Sequence, residues 1–436
     1  MRFAFSIRWA SFLLFAGLSL ILIAGAAAQP PIKENLKKAY NEIDARRREL
    51  NNGNVEAKKA DKAVADAVAE WHIYRAMIKF EKIDLVQIEF NNEIASVMDK
   101  KNATTKRAYI DLLGAACAAK MKDVLEQADL KIEPSTVIYA AQMMPTMAKL
   151  KQENVSNLLV SLIEDPKTHD VVRLHALKAL KETMPVRIQK DVIPLGEDDL
   201  KSNDQNAKRK HDSKNVDTLT KYINRPINVQ NMDADAIATM KFLRREAIVS
   251  LAAAGAPAVH ARAKPKIEEG LVAPTLMKVL AKGAMQPPAS LAEKIEAAAG
   301  LCAMEYRYMP EYHAELGIYL VGQTVIEFVN QYNKDYINFG VFGKEKRVPY
   351  VGWKADGKRL RDGLGQLAAN AKENPAAEKS AKELQAKAKR LLDRIVNDYQ
   401  QTDAEFIEDL NRVVGQLRPK DGYTFKTIKT SAIPLD

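Results

Sequence analysis

Aromatic and basic residues interleave in one stretch of the chain, where Phe339, Phe342, Tyr350 and Trp353 alternate with Lys344, Lys346, Arg347, Lys354, Lys358, Arg359 and Arg361. Aromatic faces stack on sugar rings or cations, while ammonium and guanidinium groups take carboxylates or phosphates. The pattern therefore suits an anionic glycan, with Phe342, Lys344, Lys346, Arg347, Tyr350 and Trp353 as candidate partner-binding residues. The same aromatics could instead fold inward to anchor a long connection and leave the charges in water.

Catalytic patterns are missing. The sequence has no Gly-rich dinucleotide turn, phosphate loop, His-Glu-x-x-His, Gly-x-Ser-x-Gly or Cys-x-x-Cys. The phrase Gly340-Val-Phe-Gly343-Lys344 has Glu345 where a magnesium-holding hydroxyl would stand. His72, His169, His175, His211, His260 and His313 are scattered without ligand spacing. Asp233 and Asp235 suit a helix-start charge pair better than a metal dyad. No catalytic, cofactor or metal residue is assigned. Cys117 and Cys302 lie among small apolar residues, which favours two buried core thiols over a long-range bridge.

The elements that must carry these residues begin with a leader. Arg2 and Arg8 precede an uncharged run from Ser11 to Ala28 that ends in small residues. This is the pattern of a secretory signal peptide cleaved after Ala28, giving a secreted or periplasmic protein with no membrane span after cleavage; an N-terminal anchor is the alternative. The formal charge of +10 includes both leader arginines and is spread in mixed-sign stretches. An anionic envelope polymer is compatible with that balance. Nucleic acid is disfavoured by export.

Few glycines, 7% aromatics and abundant Ala, Leu, Lys and Glu give the profile of packed helices. Residues 29–60 are polar and charge-rich and predict a mobile arm with transient helix, with Arg46 to Arg48 on a solvated helix face. Residues 61–130 predict an N-terminal helical region of mixed apolar period, including a helix from about Thr104 to Gln127.

A spacing then recurs. Arg173, Ala176, Leu177 and Leu180 are matched by Arg244, Ala247, Ile248 and Leu251 and by Lys294, Ala297, Ala298 and Leu301, while Ala140, Ala141 and Met144 fit without the basic residue. The first, fourth and eighth positions share a helix face. Alanine there admits a neighbouring helix, and the basic stem packs while its head stays hydrated. Leu158, Leu159, Leu162 and Ile163, the Asp165-Pro166 turn and the helix through Arg173, Ala176 and Leu180 resemble a HEAT repeat. That resemblance implies an α-solenoid over 131–308 and a polar ladder between repeats that includes Asp165 and Arg173. Residues 185–235 form a charged insertion, with acidic Glu197 to Asp199, basic Lys208 to His211 and a short helix near Asp217 to Tyr222.

Beyond Met309 the apolar stripes predict four helices, Tyr312–Asn330, Gly357–Ala371, Ala376–Tyr399 and Thr402–Leu417. The last is opened by a capping box from Thr402 to Glu405. A tail, 419–436, follows, with Tyr423 and Phe425 placed to pin it. The expected fold is all-α: a short HEAT-like solenoid with a C-terminal helical bundle at 309–418. The expected function is a non-enzymatic interaction or scaffold protein of the cell envelope, binding a protein or polymer on the repeat surface. The alternatives are an enzyme with a groove site and a structural envelope protein that binds an anionic glycan.

Overall fold

The computed structural model describes residues 30–78, 82–127, 134–184, 203–230, 232–256, 271–304, 314–340, 352–372, 374–398 and 401–418. The leader with its cleavage position, the acidic run at Glu197 to Asp199 and the tail lie outside the described residues. The protein is all-α, with no β-strand among the described residues. It divides into two compact units, Met1–Ala140 and Ala141–Asp436.

The first unit holds α1 (Pro30–Glu42), α2 (Asp44–Asn51), a 3₁₀ turn (Lys59–Asp61), α3 (Lys62–Arg75), α4 (Ile83–Met98), α5 (Ala103–Gln127) and α6 (Pro134–Ala141). Helix α3 packs along α5 and also meets α1 and α4. Its buried residues, among them Val64, Ala65, Val68, Trp71 and Ile73, therefore surround the helix instead of forming one stripe. This is why the apolar period of the segment looks mixed.

The helix expected in residues 29–60 is α1 and α2, and the solvated face expected for Arg46 to Arg48 is corrected, because two of the three arginines are engaged in ion pairs beyond their own helix. Arg46 makes a two-pronged pair with Asp61, at 2.8 and 2.9 Å, and Arg47 reaches Glu93. Only Arg48 of the triplet keeps a largely exposed side chain. The Asn-rich run closes α2 through Gly53 at φ +66°, and a Cβ there would lie 2.5 Å from the Asn102 Cβ. Asn102 Nδ2 donates to the Asn52 carbonyl at 2.9 Å, which clamps the turn to the start of α5.

The second unit contains α7 (Met144–Ala148), α8 (Glu153–Glu164), α9 (Asp170–Thr183), α10 (Asn203–Asn224), α11 (Ala234–Ala252), α12 (Ala273–Leu280), α13 (Leu291–Ala303), α14 (Ala314–Gly340), α15 (Gly352–Asn370), α16 (Pro375–Asp393), a π-turn (Arg394–Asp398) and α17 (Ala404–Gln416). Packing is regular. Helices α7, α9, α11, α13 and α15 touch in succession and form a front row, and α8, α10, α12, α14 and α17 form a back row. Each of α8, α10 and α12 also packs on the front-row helix that follows it.

Alanine at the repeated positions explains the close front row. Ala176, Ala247 and Ala297 are wholly buried, as are Leu180, Leu251 and Leu301. Gly300 extends the same logic, since a Cβ there would fall 2.6 Å from the Ala252 Cβ and 2.9 Å from Leu276 Cδ1. Ser250 Oγ donates to the Leu177 carbonyl at 2.8 Å, a buried tie between α11 and α9.

Four expectations change. Ala140, Ala141 and Met144 do not share a helix, because α6 ends at Ala141 and α7 starts at Met144, with Pro145 in its first turn. The helix near Asp217 to Tyr222 is the end of a longer one, Asn203–Asn224. The C-terminal helices share a compact unit with the repeats, since α15 packs along α13 and α14 packs on α13, α16 and α17. Thr402 does not cap α17: Asp403 holds the N-cap position and makes no side-chain cap bond. Instead the Thr402 N–H donates to Asn333 Oδ1 at 3.0 Å, and Asn333 Nδ2 donates to Thr402 Oγ1 at 2.7 Å.

Candidate binding surface

Of the aromatic and basic candidates, Phe342, Lys344, Lys346, Arg347 and Tyr350 lie outside the described residues. Trp353 does not sit in a loop; it is in the first turn of α15 and is buried against Phe328 and Tyr332, with ring centroids 5.1 and 5.6 Å apart. Its ring is a packing anchor. Lys358 and Arg359 remain exposed on the same helix.

The basic residues of the repeats are also placed differently from expectation, because their heads are not all hydrated. Arg173 is buried and donates to the carbonyls of Asp165, at 2.9 Å, and Pro166, with a further bond to Asp170 at 2.6 Å. Asp165 Oδ1 accepts from the Lys167 N–H at 2.9 Å. Both residues thus stabilise their own hairpin turn instead of linking repeats, which corrects the ladder that the resemblance implies. Arg244 is 1% exposed and pairs with wholly buried Glu293 at 2.5 Å, while its other nitrogens meet the carbonyls of Pro287 and Pro288. Lys294 pairs with Glu327 at 2.6 Å.

Ion pairs do cross the repeats: besides Arg244–Glu293, which joins α11 to α13, a second set lies on residues the spacing did not select. Glu296 on α13 accepts from Arg245 on α11, at 2.6 and 3.1 Å, and from Arg359 on α15. Three successive front-row helices are thereby tied at one level. Asp356, one turn before Arg359, is half-buried; burial lifts its carboxyl above the usual range, Arg245 and Arg359 pull it back, and Glu296 lifts it again. Phe242, three residues before Arg245 and so on the same side of α11, is 46% exposed. The front row thus presents an exposed aromatic beside a fixed array of alternating charges.

No local signal joins Arg245 to Glu296 or Glu296 to Arg359, because 51 and 63 residues separate them. Glu293 was within reach of a sequence rule. Ser290 and Glu293 form a true capping box at the start of α13, and Asp233 caps α11 by accepting from the Ala236 N–H at 2.7 Å.

On the back row, α12 is only eight residues long and α14 is 27. At 1.5 Å per residue their lengths differ by about 28 Å, so part of α14 has no α12 beside it. A cleft of about 440 Å³ opens there. Leu280, Leu320 and Ile326 contribute apolar wall, and Lys282, Lys294, Gln323, Glu327, Asn330 and Lys334 contribute polar groups.

The first unit holds a buried polar centre. Glu93 accepts from Asn51 Nδ2 at 2.7 Å, from the Tyr40 hydroxyl at 3.2 Å and from Arg47. Burial and the nearby Glu93 charge raise the Tyr40 hydroxyl well above its ordinary value. His72 stacks on Phe90 at 4.9 Å, and neither ring nitrogen has a partner among the described residues. Burial first, then Arg75 and Arg47, push its pKa down to about 3.

Cys117 and Cys302 are both free and buried. Burial pushes each thiol up to about 12, which removes them as nucleophiles. Among the described residues no group of His, Cys, Asp and Glu is arranged to hold a metal ion, and no helix is long and apolar enough to cross a membrane. No protein-family model, curated protein or solved structure matches the chain.

Proposed function

We propose that this chain is a non-enzymatic interaction protein of the cell envelope, a HEAT-type α-solenoid that binds a protein or polymer partner along its front row. The supporting observation is the array on α11, α13 and α15, where Arg245, Glu296 and Arg359 hold three helices in register beside exposed Phe242. An exposed aromatic beside arginine is the kind of anchor that protein interfaces use. The pairing also weighs against the enzyme alternative. Glu296 accepts from two guanidiniums, which suits it to holding helices together and not to acting as a general base.

Photo-crosslinking tests the reading. A crosslinking amino acid at Phe242 should capture one discrete partner from intact cells, whereas the same group at Lys379 on α16 should not. Equal or absent capture at the two positions would remove the front row as the binding face. Export is tested alongside: fractionation should place the protein outside the cytoplasm with Gln29 as its first residue.

A further inference from the structure

The back-row cleft carries an unbalanced set of charges. Lys294 on α13 is neutralised by Glu327 on α14 at 2.6 Å, whereas Lys282, just past α12, and Lys334, on α14, have no carboxylate partner among the described residues. Along α14, Gln323, Glu327, Asn330 and Lys334 recur at helical spacing and line one stripe. Gln323 and Asn330 are exposed and have no internal hydrogen bond among the described residues, so their amides are available both to donate and to accept. Gln331 is different, since it already donates to Asp335 at 2.9 Å.

These groups fit a particular ligand chemistry. Two unpaired ammonium groups call for two anionic groups, side-chain amides call for hydroxyls, and the apolar wall accepts the carbon face of a ring. A volume of about 440 Å³ admits a small molecule or the end of a polymer, not a folded domain. We propose that this cleft binds a sugar bearing carboxylate or phosphate groups, with Lys282 and Lys334 taking the anions and Gln323 and Asn330 the hydroxyls. The Lys294–Glu327 pair holds α13 to α14 beneath the ligand. This site lies on the back row and stands independently of the front-row reading.

Calorimetric titration of the full chain at low salt tests it, with trigalacturonate, fructose 1,6-bisphosphate, maltotriose, inorganic phosphate and triglutamate as probes. Trigalacturonate or the bisphosphate should bind at least tenfold more tightly than maltotriose, and which of the two binds distinguishes a uronate source from a sugar phosphate. The double variant K282E/K334E should lose at least tenfold in affinity. K372E/K379E, the same charge change on and beside α16, should bind normally. Circular dichroism unfolding should be alike for both variants, which separates lost binding from lost fold. Binding of phosphate or triglutamate as tight as that of the sugars, equal loss in the two variants, or no sugar binding at all would overturn the proposal.

Discussion

Arg244 and Glu293 form a buried pair within the second unit. Removing one partner leaves the other charge buried and uncompensated, a loss of about 3–5 kcal/mol. Glu293→Ala should therefore lower stability by about that amount in urea unfolding, and it also removes the capping box of α13. Arg245→Ala, whose partner Glu296 keeps its bond to Arg359, should cost about 1 kcal/mol. His72 behaves through pH. Its folded pKa, about 3, lies below the unfolded value near 6.5, so its neutral form favours the native state fully above pH 6.5. That stability is lost as pH falls, by about 1.4 kcal/mol per unit, until the folded pKa is reached. His72→Phe should remove this slope, so the protection factors of α3 amides, with the intrinsic pH dependence of exchange divided out, should fall between pH 7.5 and 5 more in the parent protein than in the variant. An unchanged slope would show that His72 is not the titrating group.

Helix junctions decide more than helix propensities. Gly300 sits where α13 crosses α11, and added atoms would enter Ala252 and Leu276. Gly300→Leu should cost 3 kcal/mol or more and Gly300→Ala about 1–3 kcal/mol, the order expected for overpacking, readable as the shift in urea midpoint. Much at this scale was legible in the sequence. Helices α8, α9 and α11 fall where apolar spacing places them, and the repeated alanines are buried as the spacing requires. The failures share a cause. Thr402 obeys the local rule for a capping box, yet its hydroxyl and amide bond instead to Asn333, 69 residues away. Trp353 lies in what reads as a loop, but one extra helical turn at the start of α15 carries it onto Phe328.

Within the second unit the C-terminal helices complete the stack that begins at α7. Front-row α13 is covered by α11 on one side and α15 on the other, and α16 packs on both α15 and α14. Ending the chain after Met304 should strip α13 of that cover, exposing Ala298, Leu301 and Cys302 and replacing cooperative unfolding by aggregation or a broad transition. A fragment spanning 141–418 should unfold in one sharp transition, checked by circular dichroism against the full chain.

Periodicity and composition by themselves determined that this protein is helical and that alanine faces recur at fixed spacing, because these properties are written in residues three or four apart. Tertiary structure alone decided which charges are buried, that Arg245, Glu296 and Arg359 meet on one face, that α14 outruns α12 to leave a lysine-lined cleft, and that Trp353 faces inward. Such features depend on pairings between helices dozens of residues apart, where burial changes what a charge or an aromatic ring is worth and local spacing carries no record of the partner.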